Sequence, residues 1–361
     1  MIYLFGAGRQ GYVTLETLKD LGIYDVIAVE RDEKNAAQAQ ALGYRVIGSS
    51  FDSPEISKVV KEGDLILNCL PARFGDKVLK FAASRKAHCI DISYMEEDPF
   101  DYEEDALRMG LKFIVDAGFA PGVSNFLIGY GYRKFGGVFD RITIKVGGIP
   151  AKPIPPFNYY LTWSPEDLLE EYRRPARIRI GGTIQVVPAL SGVKEEVFAG
   201  IGGKFESFYT DGLRTLLRTI SDVPNLEEKT VRYRGHAEIF RVLVEIGLLN
   251  KDCPIYEVFR DWLWDRLKQG SEEDLAILRI EFWRDGTVSG FELIHYYNMD
   301  RKRTAMSELT GIPPAILTKM FLDGKINQSG VLPLELLGLN DEFSHEFLGH
   351  LKKSGIQFSE F

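Results

Sequence analysis

Cysteine is scarce in this chain: three residues, Cys69, Cys89 and Cys253, among 361. So few, so far apart, exclude a disulfide framework and a cysteine zinc cluster, and a reduced, cytoplasmic setting is expected. Long hydrophobic runs are lacking too. None approaches the roughly 18 residues of a membrane span, so no membrane partner is expected. The apolar start, MIYLF, breaks at Gly6 without a basic leader, and reads as a strand and not as a signal peptide. There is no surplus of basic charge. The formal net charge of −8 argues against a nucleic-acid groove, which concentrates positive charge. Repeats and low-complexity tracts are absent. What is present, 45% hydrophobic and 27% charged residues, is the balance of a globular protein, at a length that suits two domains.

Residues 2–5 form a continuous apolar run, the pattern of a fully buried parallel strand. Gly6, Ala7, Gly8, Arg9, Gln10 and Gly11 then spell GxGxxG, and residues 13–21 read as an amphipathic helix. Strand, glycine loop and helix in that order form a dinucleotide site. Gly6 makes the tight turn, Gly8 lets the backbone approach a pyrophosphate, and Gly11 allows close helix packing. The helix N-terminus, with Arg9 and Gln10 beside it, offers N–H groups and positive dipole to the phosphates. A strand at 25–29 ends in Glu30, 19 positions after Gly11, where a carboxylate accepts both adenosine ribose hydroxyls and repels a 2′-phosphate. NAD is therefore expected over NADP, a preference that the adjacent Arg31 softens.

Strands at 45–48, 64–70, 88–92 and 111–115 alternate with helices at 54–61, 75–85 and 99–109. This alternation predicts an α/β fold with a Rossmann-type, doubly wound parallel sheet over residues 1–122. The loops that carry Leu70 and Pro71, and Ser93, leave one sheet edge and are expected to flank the nicotinamide. Cys69 is expected to pack, since nothing near it stabilises a thiolate. Residues 115–125, VDAGFAPGVSN, read as a strand end, a loop, and a helix that Ser124 or Asn125 helps to start. Ligands in such sheets bind beyond the carboxyl ends of the strands, where Asp116 sits and where Gly118 leaves the backbone approachable.

A second, substrate-binding domain is expected over residues 123–302, opened by a helix at 123–135. Strands at 141–147, 158–163, 176–180, 195–200, 205–209, 230–234, 276–283 and 289–297 are separated by helices at 165–172, 213–220, 236–247 and 255–267. The pattern suggests an α+β domain with a mixed, largely antiparallel sheet, of a kind that often dimerises. Residues 303–361 read as mainly helical and as packing back on the first domain. Polar residues cluster at Arg173 and Arg174, at Thr210, Asp211, Gly212 and Arg214, and at Arg232, Gly235 and His236. An amino-acid carboxylate takes an arginine fork, for which Arg214 and Arg232 are suited; each reads equally as a salt-bridge arginine. His236 reads equally as a reactive and as a core or capping histidine.

Several stretches carry a resemblance: GAGRQG at 6–11, DISYMEEDP at 91–99, VDAGFAPGVSN at 115–125, VGGIP at 146–150 and PPFNYYLTWSPEDLLEEYRRPAR at 155–177. DGLRTLL at 211–217, RYRGHAE at 232–238, Thr310–Gly311 and GVLPLELLG at 330–338 extend it over nearly the whole chain. They resemble the saccharopine dehydrogenase-like superfamily and, within it, the enzymes that deaminate L-lysine at its ε-amine. The GFAPG loop and the PPFNYYLTWSP block are the specific parts; GxGxxG is shared by many dehydrogenases. The resemblance implies a homodimeric NAD enzyme releasing 2-aminoadipate 6-semialdehyde, ammonia and NADH. It also implies a return of the C-terminal helices to the cofactor domain. Saccharopine reductases carry an aspartate in a matching GLDPG loop; Ala120 stands there in this chain, which fits a smaller amine. Such a reaction needs a base or water-positioning group, for which the candidates are His236, Asp116 and Tyr160 in that order. Asp116 reads equally as a residue that only orients its loop. Arg214 and Arg232 would hold the α-carboxylate, with Thr210 and Tyr94 adding hydrogen bonds. Two other readings stand beside this one. A saccharopine or carboxynorspermidine dehydrogenase would handle a secondary amine, typically with NADP, and Ala120 and Glu30 speak against it. A non-catalytic NAD-binding protein is disfavoured by the polar clusters of the second domain.

Overall fold

An aliphatic run with no polar alternation is stable in a strand only when both faces of its sheet are covered. The computed structural model, which describes residues 1–361, buries every residue of three such runs: β1 (Ile2–Phe5), β2 (Val26–Val29) and, after β3 (Arg45–Ile47), β4 (Leu65–Asn68). With β5 (His88–Asp91), β6 (Lys112–Ile114) and the short strand Gly330–Val331 they form a seven-stranded sheet. Its order is Gly330–Val331, β6, β5, β4, β1, β2, β3, and every pair is parallel. The order reverses between β1 and β4, the switch point beyond which such sheets bind ligands. Phe5 is in register with Asn68 and Asn68 with Asp91, so three strands end in one row at that edge. Phe5, Ile66, Val78, Phe113 and Val115 belong to the core beneath.

Two compact units divide the chain: Met1–Arg133 with Ser307–Ile356, and Lys134–Met306 with Gln357–Phe361. The helix Val123–Lys134, expected to open the second domain, thus falls almost wholly in the first unit. The reason is backbone packing without side chains between. A Cβ on Gly129 would stand 1.9 Å from the Glu335 carbonyl oxygen, and one on Gly338 2.5 Å from that of Phe126. The C-terminal stretch is one continuous helix over Ala305–Leu322, followed by Leu334–Gly338 and Asp341–Lys353. No helix is long and apolar enough to cross a membrane. The helix Glu33–Ala41, capped by Asp32, was not expected; it buries only Ala39 and so shows almost no apolar periodicity.

The second unit holds β7 (Arg141–Pro150), β8 (Ala176–Ile180), β9 (Thr183–Val187), β10 (Lys194–Glu196), β11 (Phe205–Tyr209), β12 (Leu226–Tyr233), β13 (Asp274–Arg284) and β14 (Thr287–Tyr296). With Ser359–Glu360 they make a mixed sheet in which β12 and β7 are parallel and the other pairs antiparallel. Three expectations need correction. Residues 158–163 form no strand: Tyr159, Tyr160 and Leu161 are all buried in an irregular segment, so their spacing was not a one-faced alternation. The helix expected at 213–220 is a single turn, Leu216–Thr219, and the strand at 195–200 shrinks to Lys194–Glu196. In addition, β8 and β9 pair as an antiparallel hairpin where the sequence pattern predicts the first strand alone.

Candidate functional site

The helix Arg9–Asp20 begins at Gly8 with no side chain capping it, which leaves its first N–H groups for a ligand or water. A Cβ on Gly8 would meet only Asn35 Nδ2, at 4.0 Å, whereas one on Gly11 would stand 2.0 Å from the Gly6 carbonyl oxygen. The first glycine keeps the backbone approachable and the last lets the helix close on the turn. Glu30 is buried beside this loop. Its Oε2 accepts the Ala7 N–H and its Oε1 the Asp32 N–H, each at 2.8 Å. Each oxygen retains a second lone pair for a ribose hydroxyl. These residues fit a dinucleotide. Arg9 and Arg31 are exposed and Gln10 half-buried. Thr310 and Gly311 abut the same region: the Thr14 hydroxyl donates to the Gly311 carbonyl at 2.9 Å, and the Thr310 methyl lies 3.3 Å from where a Gly118 Cβ would be.

At the ends of β4 and β5 a polar cluster closes the row begun by the register. Asp91 is completely buried. Its Oδ1 accepts the Asn68 amide at 2.8 Å and the Ser93 N–H at 2.9 Å, and its Oδ2 accepts the Ser93 hydroxyl at 2.8 Å. Asn68 Oδ1 in turn accepts the Leu70 N–H at 3.2 Å. Burial pushes the Asp91 carboxyl up to about 6, with the charge of Asp116 acting in the same direction and the Ser93 and Asn68 hydrogen bonds opposing it. Asp116 is buried two residues beyond β6, at a φ of 52°, which non-glycine residues rarely adopt. Leu70 and Pro71, and likewise Tyr94 and Ala120, are half-buried on the loops leaving this edge. Burial raises the Cys69 thiol to about 12, which agrees with a packing role. Asn68 and Asp91 escaped attention in the sequence because their contact depends on the parallel register of β4 and β5.

In the second unit one buried network joins three of the expected residues. The Thr210 and Thr230 hydroxyls lie 2.9 Å apart, and Thr230 donates to Glu171 Oε1 at 2.5 Å. Arg232 Nη2 donates to Glu171 Oε2 at 3.2 Å, and its Nε to the Tyr172 hydroxyl oxygen at 3.2 Å. Tyr172 lies 2.7 Å from His236 Nε2, and His236 Nδ1 lies 2.8 Å from the Phe157 carbonyl. A carbonyl only accepts, so Nδ1 carries the proton and Nε2 receives that of Tyr172. Burial, and then the charge of Arg232, depress the imidazole to about 3. His236 thus has no lone pair left for a substrate proton, and its setting is that of a neutral core histidine. Arg232 is buried across the Tyr159 ring with Glu171 already on its fork.

Arg214 is buried at the neighbouring turn, with a φ of 44°. Asp211 takes the backbone N–H, Nε and Nη2 of Arg177 and the ion pair of Arg174, so it holds β8 and not a ligand. The Tyr160 hydroxyl lies 3.5 Å from Glu272. Glu171, Tyr172 and Thr230 were missed; the first two lie inside the EEYRR stretch, where helix spacing offered the only signal.

Comparison with known proteins matches residues 2–114 to the family described as "Saccharopine dehydrogenase NADP binding domain", and residues 118–356 to "Saccharopine dehydrogenase C-terminal domain". The saccharopine dehydrogenase [NADP(+), L-glutamate-forming] of Saccharomyces cerevisiae is 23% identical, with 97% of each chain aligned. The mitochondrial alpha-aminoadipic semialdehyde synthase of Bos taurus is 27% identical over 70% of this chain, which spans 29% of the bovine protein. In fold, the saccharopine dehydrogenase (L-Glu forming) structure from S. cerevisiae superposes with a TM-score of 0.77 at 21% identity, covering 100% of this chain and 99% of that one. The Legionella pneumophila homospermidine synthase in complex with NAD gives 0.68 at 12% identity, covering 100% and 90%. Matched in this way over residues 2–114 and 118–356, the chain belongs to the saccharopine dehydrogenase family of oxidoreductases.

Proposed function

We propose that this protein is an L-lysine 6-dehydrogenase: it oxidises the ε-carbon of L-lysine with NAD, and water then displaces ammonia to give 2-aminoadipate 6-semialdehyde. The observation that carries the reading is the loop after β6. It keeps a carboxylate, Asp116, at the ligand-binding edge of the sheet and puts a methyl group, Ala120, at the position that the resemblance matches to an aspartate of saccharopine reductases.

When bound, NAD supplies the hydride acceptor. The chain supplies the phosphate loop at Gly6–Gly11, the ribose acceptor Glu30, and the clip of Asn68, Asp91 and Ser93 beside Leu70 and Pro71. A lysine ε-ammonium has no lone pair, so it must lose a proton before its carbon gives up hydride. Asp116 is the candidate base we retain, since both nitrogens of His236 are engaged. Tyr160 is its alternative. The second unit, with Arg214 and Thr210, is assigned recognition of the α-carboxylate; Arg232, with Glu171 and Tyr172 already on its guanidinium, is assigned to holding the network beside Thr210. The exposed apolar residues Ile184 and Val186 on the edge strand β9 support a homodimer.

A second reading is a saccharopine dehydrogenase that uses NADP. It is favoured by the NADP named both for the matched family and for the yeast relative, and by Arg31 beside Glu30. A spectrophotometric panel of L-lysine, L-ornithine and saccharopine against NAD and NADP separates the two. Reduction of NAD by lysine alone is expected; reduction of NADP by saccharopine alone would favour the second reading.

A further inference from the structure

We propose that Asp91 and Asp116, two buried carboxylates at the ends of β5 and β6, bias the site towards the oxidised dinucleotide, with Asn68 and Ser93 holding Asp91 in place. This rests on the dinucleotide reading above. Glu30, at the end of β2, marks the adenosine half of the crevice, so the nicotinamide half belongs to the ends of β4, β5 and β6. The oxidised nicotinamide ring carries a positive charge that the reduced ring lacks. Negative charge fixed at this edge therefore stabilises one redox form and leaves the other nearly untouched, and a buried edge is poorly screened by salt.

The geometry of Asp91 is that of a held anion. Three donors meet its two oxygens, from Asn68 at the end of β4 and from the backbone and hydroxyl of Ser93. The groups facing it are Asp116 beyond β6, Cys69 beyond β4 and Cys89 on its own strand, and burial keeps both thiols protonated. With its carboxyl at about 6, Asp91 is charged at neutral pH and loses its charge under mild acid. The bias is then greatest at neutral pH and falls with acidification.

Separate calorimetric titrations of the protein with NAD and with NADH, without any amine, test this. In Asp91→Asn the ratio of the NAD Kd to the NADH Kd should rise on the order of tenfold, the effect of one unit charge about 10 Å away at an effective dielectric of about 20. In the unaltered protein the same ratio should rise as pH falls from 7.5 to 5.5 (roughly the window around the Asp91 transition), and the variant should show no such change. Should the variant fail to fold, the pH series on the natural chain decides. A purely structural role weakens both forms alike; an unchanged ratio with tight binding, or a ratio flat with pH, overturns the proposal and leaves the dinucleotide reading standing. If neither NAD nor NADH binds, and parallel titrations with NADP and NADPH show no binding either, the dinucleotide reading itself falls and this proposal with it.

Discussion

Replacing Tyr172 by phenylalanine isolates one hydroxyl group in the second unit. The ring stays, and with it the contacts to Phe240 and Phe208, whose centroids lie 4.7 and 6.1 Å away. What is lost is the atom that accepts from Arg232 Nε at 3.2 Å and faces His236 Nε2 at 2.7 Å. Both partners are buried, and neither can turn to water. Each orphaned polar atom costs about 1–3 kcal/mol, so Tyr172→Phe should cost the second unit about 2–5 kcal/mol. The assay is selective by composition: the four tryptophans, Trp163, Trp262, Trp264 and Trp283, all belong to the second unit. Urea unfolding followed by tryptophan emission should show the midpoint falling by about 1–2 M with an unchanged slope. A shift under about 0.3 M would show that water or rearrangement satisfies both partners, and would refute the hydrogen-bond network as drawn.

Two further outcomes follow from the same chemistry. His236 is held neutral with its pKa depressed to about 3, so the stability it contributes is complete above its unfolded pKa of roughly 6.5 and is lost as pH falls from there towards 3. Tryptophan-monitored stability should decline by several kcal/mol over that window, and His236→Asn should flatten the decline; an equal slope in the variant would contradict the assignment. Glu30→Ala removes the acceptor for the Ala7 and Asp32 N–H groups. Calorimetry should show NAD binding weakened by about tenfold or more; unchanged affinity removes Glu30 from the proposed ribose site.

The first unit was legible where short-range pattern and buried strands coincide. The runs at β1, β2 and β4 and the GxGxxG turn each announce themselves within a dozen residues, and their ends fell within a residue or two of the strands observed. The helix Glu33–Ala41 was not legible, because a helix burying one alanine leaves no stripe. Nor was the boundary at Lys134, which depends on Gly129 and Gly338 bringing distant backbones together. In the second unit, Thr210, Arg232 and His236 were each singled out as polar residues in unusual company. Their union through Glu171, Tyr172 and Thr230 was not, because those links span about 60 residues of sequence. The same distance explains His236. Its residue type suggests a base, and only the carbonyl of Phe157 and the hydroxyl of Tyr172 show that both nitrogens are engaged.

The central claim is that the bond broken is the ε C–N bond of lysine, and nitrogen labelling reads it directly. Incubated with NAD and L-lysine carrying 15N at the ε position only, with no keto acid added, the protein should release 15N-ammonia in equal amount to the NADH formed. Unlabelled ammonia, or no NADH until saccharopine replaces lysine, would contradict the account.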